Sequence, residues 1–381
     1  MAEVLDWRSY ADQPALVRRA VQALTEGQLV VFPTDTVYGI AASALIPEAV
    51  ERLVRSKGRP EDKPMVLALA RASEALDWVP EMSALGRRLA RRCWPGAVTL
   101  VFAVGTEHGA TTQLADSVRQ RVSSQGNLGF RVPAHEAILQ TLAQLPGPLV
   151  LTSANRSGAA PATSAQEALE ALGESAALVI NDGPSHFGQA STVVQVGGNT
   201  WKVLREGVVS QADLKRLTAR VIVFVCSGNT CRSPMAEAIC KKLLAEQLHC
   251  MPEELPEHGF IVLSAGLAAM MGERAAPEAV AAARELGADL SSHASKPLTL
   301  SLLAKADDII AATRGHLLAL AARAADAGVR LRMMSPDGLD LPDPIGCDQE
   351  VYRECARQIE RDLGVLLPEF LQENTISAAL P

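Results

Sequence analysis

Two α/β domains in tandem are what the amino-acid sequence predicts, on three observations. At 381 residues the chain exceeds the ~250–300 beyond which a single core usually divides. Short apolar, β-branched runs alternate with helical patterns along the whole length, as in α/β architecture. A polar, helix-compatible stretch then lies between Arg205-Glu206-Gly207 and a new buried-strand pattern. The boundaries that follow are a first domain over residues 1–209, a linker over 210–219 and a second domain over 220–381.

In chain order, the strand-like runs are GQLVVF (27–32), AVTLVFAV (97–104), PLVLTS (148–153), STVVQV (191–196), RVIVFVC (220–226) and DDIIAAT (307–313). The first twenty residues read as helical and carry no apolar signal core. The Ala-rich stretches 268–283 and 318–327 read as helices.

Hydrophobic content of 48% with 21% charged residues is that of ordinary globular domains. No window approaches the ~18 uninterrupted apolar residues of a membrane span, so a soluble, cytoplasmic protein with no membrane partner is expected. The net charge of -7 is uneven, with 22 basic against 21 acidic residues up to position 220 and 14 against 22 beyond it. That balance argues against a polyanion-binding surface across either half and leaves room for a local basic cleft. The seven cysteines are scattered and odd in number, and none shows paired CxxC spacing. Reduced thiols and no structural metal site are expected.

The first domain contains neither a Walker loop nor a Gly-x-Gly-x-x-Gly turn. It carries polar clusters at strand ends instead. Pro33-Thr34-Asp35-Thr36-Val37-Tyr38-Gly39 follows a strand, and Ser56-Lys57-Gly58-Arg59-Pro60-Glu61-Asp62-Lys63-Pro64 sets three cations in a Pro-bounded loop. Trp94-Pro95-Gly96 precedes a strand, Arg131-Val132-Pro133 follows one, and Thr152-Ser153-Ala154-Asn155 closes another. Such groups point to one shared cleft.

Together these clusters resemble the YrdC-like family of L-threonylcarbamoyladenylate synthases, over most of residues 10–209. The resemblance implies a twisted α/β sheet domain that condenses L-threonine, bicarbonate and ATP into threonylcarbamoyl-adenylate and releases pyrophosphate. A tRNA-modifying transferase complex would be the partner that consumes the product. The resemblance also implies that Lys57, Arg59, Lys63, Ser153, Asn155 and Arg205 handle ATP, with Mg²⁺ on its phosphates, and that Thr36, Arg131 and Ser191 hold threonine. Cations suit that chemistry because carbamate must attack a phosphorus buried in negative charge. One departure is Ala68, where many members have histidine. The alternative reading is a nucleotide- or RNA-binding regulatory module without synthesis.

The second domain opens with Val221-Ile222-Val223-Phe224-Val225, passes into Cys226-Ser227-Gly228-Asn229-Thr230-Cys231-Arg232 and continues as Ser233-Pro234-Met235-Ala236-Glu237 in a helical pattern. With Ser233 read as N-cap and Pro234 as first helical residue, the loop N–H groups converge at a helix N-terminus. That point favours a dianionic phosphate. A cysteine there is expected to react as thiolate, and Arg232 can bridge two phosphoryl oxygens. Asp343, in Leu341-Pro342-Asp343-Pro344, is the first candidate for the acid that protonates the leaving group, with Asp340 and Asp348 as alternatives.

Cys, five residues, Arg-Ser and the later Asp-Pro resemble the low-molecular-weight protein-tyrosine phosphatase family, over essentially all of residues 220–381. Ser264-Ala265-Gly266, the segment 287–293, Asp307-Asp308-Ile309-Ile310 and Thr313-Arg314-Gly315-His316 support it. The resemblance implies a doubly wound, mostly parallel sheet, a phosphoprotein substrate and no cofactor. Cys226 would be the nucleophile, Arg232 the phosphate binder and Asp343 the general acid and base, while Asn229 braces the loop and Ser233 hydrogen-bonds the thiolate. Thr230 bears on substrate. Tyrosine-specific members usually carry an aliphatic residue there, whereas bacterial protein-arginine phosphatases carry threonine in the same Gly-Asn-Thr-Cys-Arg-Ser-Pro-Met-Ala-Glu string. Ile345-Gly346 stand where an aromatic residue is often found. Phosphoarginine on protein is therefore the expected substrate and phosphotyrosine the alternative. Cys231 is placed to form a disulfide with an oxidised Cys226.

Overall fold

The computed structural model of the chain describes residues 2–9, 12–60, 63–104, 109–324 and 328–372. It divides into two compact units between Leu214 and Lys215, inside the helix Gln211–Thr218, so the stretch read as a linker is largely helical. Among the described residues no helix is long and apolar enough to cross a membrane.

Among those residues the first unit is built on one mixed sheet. Its strands are β1 (Glu3–Asp6), β2 (Val30–Phe32), β3 (Gly39–Ser43), β4 (Val66–Ala68), β5 (Val98–Ala103), β6 (Ser123–Ser124), β7 (Asn127–Arg131), β8 (Leu149–Ser153), β9 (Leu178–Asn181), β10 (Thr192–Gly197) and β11 (Thr200–Arg205). They lie in the order β1-β9-β2-β3-β8-β4-β7-β5-β10-β11, with β6 paired to β7. β2 and β3 are buried throughout. In β5, β7 and β10 the two-residue period separates the faces. Leu100, Phe130 and Val194 enter the core, while Thr99, Val101, Gly129, Val193 and Gln195 floor a cleft.

Two expectations are corrected here. The first twenty residues are not uniformly helical, because residues 3–6 pair in parallel with β9 as an edge strand. The helix Gln13–Thr25 starts only after Asp12, whose side chain accepts from the Ala15 N–H at 2.9 Å. Strand pairing overrides the local preference. The Ala-rich stretch 268–283 is helical only from Pro277, in the helix Pro277–Glu285. Its first part is a loop, with Gly272 at φ 86° and hydrogen bonds to backbone outside any helix. The other stretch is helical in Arg314–Ala324, and its residues 325–327 lie outside the described residues.

The second unit has strands β12 (Arg220–Cys226), β13 (Phe260–Gly266), β14 (Asp308–Ala311) and β15 (Arg330–Met333), all parallel, in the order β13-β12-β14-β15. Every residue of β12 is buried. Ile222 and Phe224 pack with Met235, Ala279 and Ile359 on one face, and Val221, Val223 and Val225 pack with Leu303 and Leu320 on the other. Helices on both faces make the sheet doubly wound. The chain leaves β12 to one side for β13 and returns on the other for β14, so the order reverses at the C-terminal end of β12, where an open α/β sheet leaves its crevice. Cys226 stands at that end.

The opposite end of β12 is closed by a buried ion pair. Arg220 Nε lies 2.8 Å from Asp308 Oδ2, with neither side chain exposed. The guanidinium also donates to the carbonyls of Glu369 (3.2 Å) and Phe370 (3.1 Å), near the C-terminal end of the helix Gln349–Gln372, and stacks 4.9 Å from the Phe370 ring. Replacing Asp308 by leucine leaves that cation buried without its carboxylate. The variant is expected to lose about 3–5 kcal/mol in urea denaturation followed by far-UV circular dichroism; a loss under 1 kcal/mol would mean the pair does not hold the strand.

Candidate functional site

The first unit holds a cleft of about 500 Å³ above the β5–β7–β10 floor. Thr36, Arg59, Arg131, Ser153, Ser191 and Arg205, six of the residues singled out in the sequence, line it together. Arg131, the last residue of β7, is held on three sides: Nε donates to the Gly96 carbonyl at 3.0 Å, one terminal nitrogen to Thr36 Oγ1 at 2.9 Å, and the other to Asp35 Oδ1 at 2.6 Å. Arg205 donates to the carbonyl (2.8 Å) and hydroxyl (3.2 Å) of Ser191, whose Oγ is 3.0 Å from Thr99 Oγ1. Arg59 reaches the Lys63 and Pro64 carbonyls and Thr152 Oγ1.

The charge of Arg205 acts on the other two guanidiniums. Burial pushes Arg59 below its ordinary value, and the charge of Arg205 pushes it further. Burial also lowers Arg131, with Asp35 opposing the shift and Arg205 adding to it, and burial lowers Arg205. The cleft therefore concentrates cations in partly desolvated positions, which an anionic ligand would relieve.

The other three residues assigned to ATP lie elsewhere. Lys57 is buried beneath the cleft, where its ammonium donates to the carbonyls of Ser153 and Asn155. Burial first, and Arg59 second, push its pKa down to about 7. Asn155 accepts from Ser153 Oγ at 2.5 Å and donates to the Arg156 and Ala159 carbonyls, which folds the loop after β8. Lys63 is exposed and outside the cleft lining. Ala68 is fully buried and is the cross-strand partner of Arg131. Thr34, from the cluster 33–39 quoted in the sequence, also lines the cleft, and the sequence reading missed Ser124, Gln125, Asn127 and Gln195, which do so too. Period-two alternation in β10 could have pointed to Gln195, whereas the hairpin joining β6 to β7 had no signal of its own.

In the second unit, β12 delivers Cys226 into the loop 227–231, and the helix Arg232–Leu248 follows. Cys226 Sγ is 2.9 Å from Ser233 Oγ and accepts from the Asn229 N–H at 3.3 Å. The helix begins at Arg232, so Cys231 is its N-cap residue and Ser233 is not, contrary to the sequence reading. Ser233 has its hydroxyl engaged by the thiol and by Asn229 Nδ2 at 3.0 Å. Pro234 is tolerated inside the first turn because those N–H groups have no intrahelical partner.

Asn229 is the hub of the loop. Its backbone sits at φ 56°, a left-handed conformation that asparagine adopts more readily than other non-glycine residues. Its amide nitrogen donates to Ser264 Oγ at 2.9 Å, its amide oxygen accepts from the Lys296 N–H at 2.9 Å, and its carbonyl is 2.8 Å from His293 Nε2. Ser264 in turn donates to Glu237 at 2.6 Å. Gly266, at the end of β13, permits this closeness, since a Cβ there would stand 2.4 Å from the Ser227 carbonyl oxygen. His293 and Glu237 appeared in the sequence only within quoted stretches, without roles.

Arg232 is buried and donates to the Leu341 carbonyl at 3.3 Å and to Asp343 Oδ2 at 2.5 Å. The neighbouring aspartates are otherwise occupied: Asp340 accepts from the Arg314 N–H at 2.6 Å, and Asp348 accepts from the Glu350 and Val351 N–H groups at the start of the last helix. Asp343, with a side chain 43% exposed, is thus the carboxylate that faces the loop. Thr230 Oγ1 lies 3.7 Å from Cys231 Sγ, which is 3.4 Å from the Tyr352 hydroxyl. Burial, and then the contact with Cys231, raise the Tyr352 hydroxyl above its ordinary value. All seven cysteines are free thiols.

Comparison with known proteins matches each unit separately. The Sua5/YciO/YrdC family, described as telomere recombination, matches residues 22–207, and the low molecular weight phosphotyrosine protein phosphatase family matches residues 221–376. A putative threonylcarbamoyl-AMP synthase of Mycobacterium tuberculosis is 36% identical over 210 residues, covering 55% of this chain and 92% of that protein. The threonylcarbamoyl-AMP synthase of Pyrococcus abyssi is 31% identical over 224 residues, covering 57% of this chain and 63% of that one. The solved structure of a P. abyssi Sua5 variant superposes over 100% of both chains with a TM-score of 0.52 at 20% identity, a likeness of fold. The chain thus belongs to the Sua5/YciO/YrdC family through an N-terminal threonylcarbamoyl-AMP synthase domain, to which it joins a domain of the low-molecular-weight phosphotyrosine protein phosphatase family.

Proposed function

We propose that the first unit condenses L-threonine, bicarbonate and ATP into threonylcarbamoyl-adenylate, and that the second hydrolyses phosphoarginine on proteins through a phosphocysteine intermediate. For the first, the observation that carries the reading is the convergence of Arg59, Arg131 and Arg205 on one cleft whose charged partner at Arg131 is a single carboxylate, Asp35. The carbamate formed from threonine and bicarbonate attacks the α-phosphorus, the bond to the β-phosphate oxygen breaks, and pyrophosphate leaves. Arg59 and Arg205 counter the triphosphate charge, and Arg131 with Thr36 and Ser191 receives threonine. Mg²⁺ would be carried on the triphosphate oxygens and would supply charge neutralisation there. Lys57 acts from below, holding the Ser153 and Asn155 carbonyls in place.

For the second, the carrying observation is Cys226 within reach of Ser233 and the Asn229 N–H, with Arg232 and Asp343 paired beside it. A phosphoryl dianion competes for Arg232 and frees the Asp343 carboxylate, which takes up a proton from solvent. The Cys226 thiolate attacks phosphorus, the bond from phosphorus to the guanidinium nitrogen breaks, and Asp343 gives that nitrogen its proton. Water then attacks the phosphocysteine, Asp343 takes its proton, and phosphate and the thiolate are restored. Thr230 supports phosphoarginine over phosphotyrosine, because a hydroxyl at the loop wall suits a polar guanidinium better than an aromatic ring.

Three measurements check these readings. Pyrophosphate release should require both ATP and threonine, and Arg59→Ala or Arg205→Ala should each lower kcat/KM for ATP roughly a hundredfold; absence of release from the intact chain would favour a binding module. Lys57 sets a pH dependence. Between its folded value of about 7 and its ordinary value of 10.5, the unfolded chain binds a proton that the folded one does not, so this group makes stability rise with pH across that window. All four tryptophans, Trp7, Trp78, Trp94 and Trp201, lie in the first unit, so fluorescence-detected unfolding should show this rise in the wild type and a flatter slope in Lys57→Met. Matched phosphoarginyl and phosphotyrosyl peptides should reveal phosphoarginine preference that Thr230→Val narrows, loss of all turnover in Cys226→Ser, and a loss of about 10²-fold in kcat for Asp343→Asn on the tyrosyl peptide. Faster hydrolysis of phosphotyrosine by the wild type would discard the arginine assignment alone.

A further inference from the structure

His316 touches the thiol loop yet has no part in the phosphoryl chemistry or in the Asn229 network. It is 8% exposed and is the third residue of the helix Arg314–Ala324. Thr313, just before that helix, accepts from the His316 backbone N–H through Oγ1 at 3.2 Å, and the same oxygen is 2.8 Å from ring Nδ1. Thr313 thus caps the helix start through its hydroxyl, and the same hydroxyl holds the imidazole. The helix start thereby fixes the ring, and its far nitrogen, Nε2, comes to 2.9 Å from Ser227 Oγ.

Ser227 directly follows the nucleophile. Its carbonyl accepts from the Ala268 N–H at 3.0 Å, so the residue is gripped by backbone on one side and by His316 on the other. The turn that carries Thr313 is itself tied to the strand ends, since the Ala312 N–H donates to the Val225 carbonyl at 2.9 Å and the Ala312 carbonyl accepts from the Leu341 N–H at 2.9 Å. The charged groups facing the ring are Arg232 from its helix and Asp343 and Asp340 from the loop after β15, with Arg314 adjacent on its own helix. Burial first and Arg232 second hold the imidazole below its ordinary value against the two carboxylates. That shift favours the neutral ring, in which one nitrogen donates and the other accepts, and either hydroxyl can meet either role.

We infer that His316 is a positioning residue for phosphate binding: it carries the rigidity of a capped helix start to Ser227 and so fixes the peptide that follows Cys226. The inference rests on the phosphoryl-binding reading of the loop given above. A loop whose N–H groups must meet an anion at hydrogen-bond distance loses affinity when one residue is free to relax.

The test is titration calorimetry of inorganic phosphate on the full chain, alongside hydrolysis of p-nitrophenyl phosphate. His316→Leu and Ser227→Ala should each weaken phosphate about tenfold and raise KM by a similar factor. The double variant should be no worse than either single one, because both remove the same contact. His316→Gln, whose amide can reach the place of Nε2, should recover most of the affinity. Unchanged phosphate affinity in His316→Leu, additive losses in the double variant, or a glutamine no better than leucine would overturn the inference, as would a wild type that binds no phosphate. A wild type that binds phosphate but hydrolyses nothing would sink the phosphatase reading while leaving the phosphate data to decide the role of His316.

Discussion

Holding guanidinium groups out of water at the ends of sheet strands is the constraint around which both units are built. A buried cation is costly unless fixed dipoles or a counter-ion meet it. In the first unit the buried Arg131 is met by Gly96, Thr36 and Asp35. In the second, Arg232 is met by the Leu341 carbonyl and Asp343. Each of these partners is a loop or strand-end group, so the architecture behind the sites serves to keep those ends in register.

The second unit separates holding from binding along one strand. At the start of β12 the Arg220–Asp308 pair is sealed, with no exposed side-chain surface on either partner. At its end, Cys226 opens into a loop whose polar atoms are matched by Asn229, Ser264, His293 and His316. A parallel sheet packed on both faces supplies the stiffness between them. The loop can sustain a left-handed asparagine and a close approach to Gly266 because neighbouring strands and helices over-determine it.

Both units, as proposed, act at phosphorus, but at different places on their substrates. The first needs a wide cleft that neutralises a triphosphate while one internal phosphorus is attacked. The second needs a tight loop around one terminal phosphoryl group. A floor of small and β-branched side chains under spread arginines suits the former, and backbone N–H groups at a helix start beside one arginine suit the latter.

The sequence by itself determined the α/β architecture of both units and marked the candidate centres. Unbroken apolar runs marked the strands, and the string from Cys226 to Ser233 placed thiol and arginine on one loop whatever the packing, because residues so close in a strand–loop–helix junction have little freedom. What it could not decide was which distant groups meet. The sequence put Asp343 first among three aspartates, but that Asp343 pairs with Arg232 while Asp340 binds the Arg314 N–H and Asp348 the last helix is a matter of loop path. The position of Lys57 beneath the cleft, apart from Arg59 two residues on, followed from the helix Pro47–Lys57 ending against the loop after β8. The bracing of Ser227 by His316 joins residues 89 positions apart. Local sequence carries propensity and spacing, whereas contacts of this range form only when the sheet order brings the strand ends together.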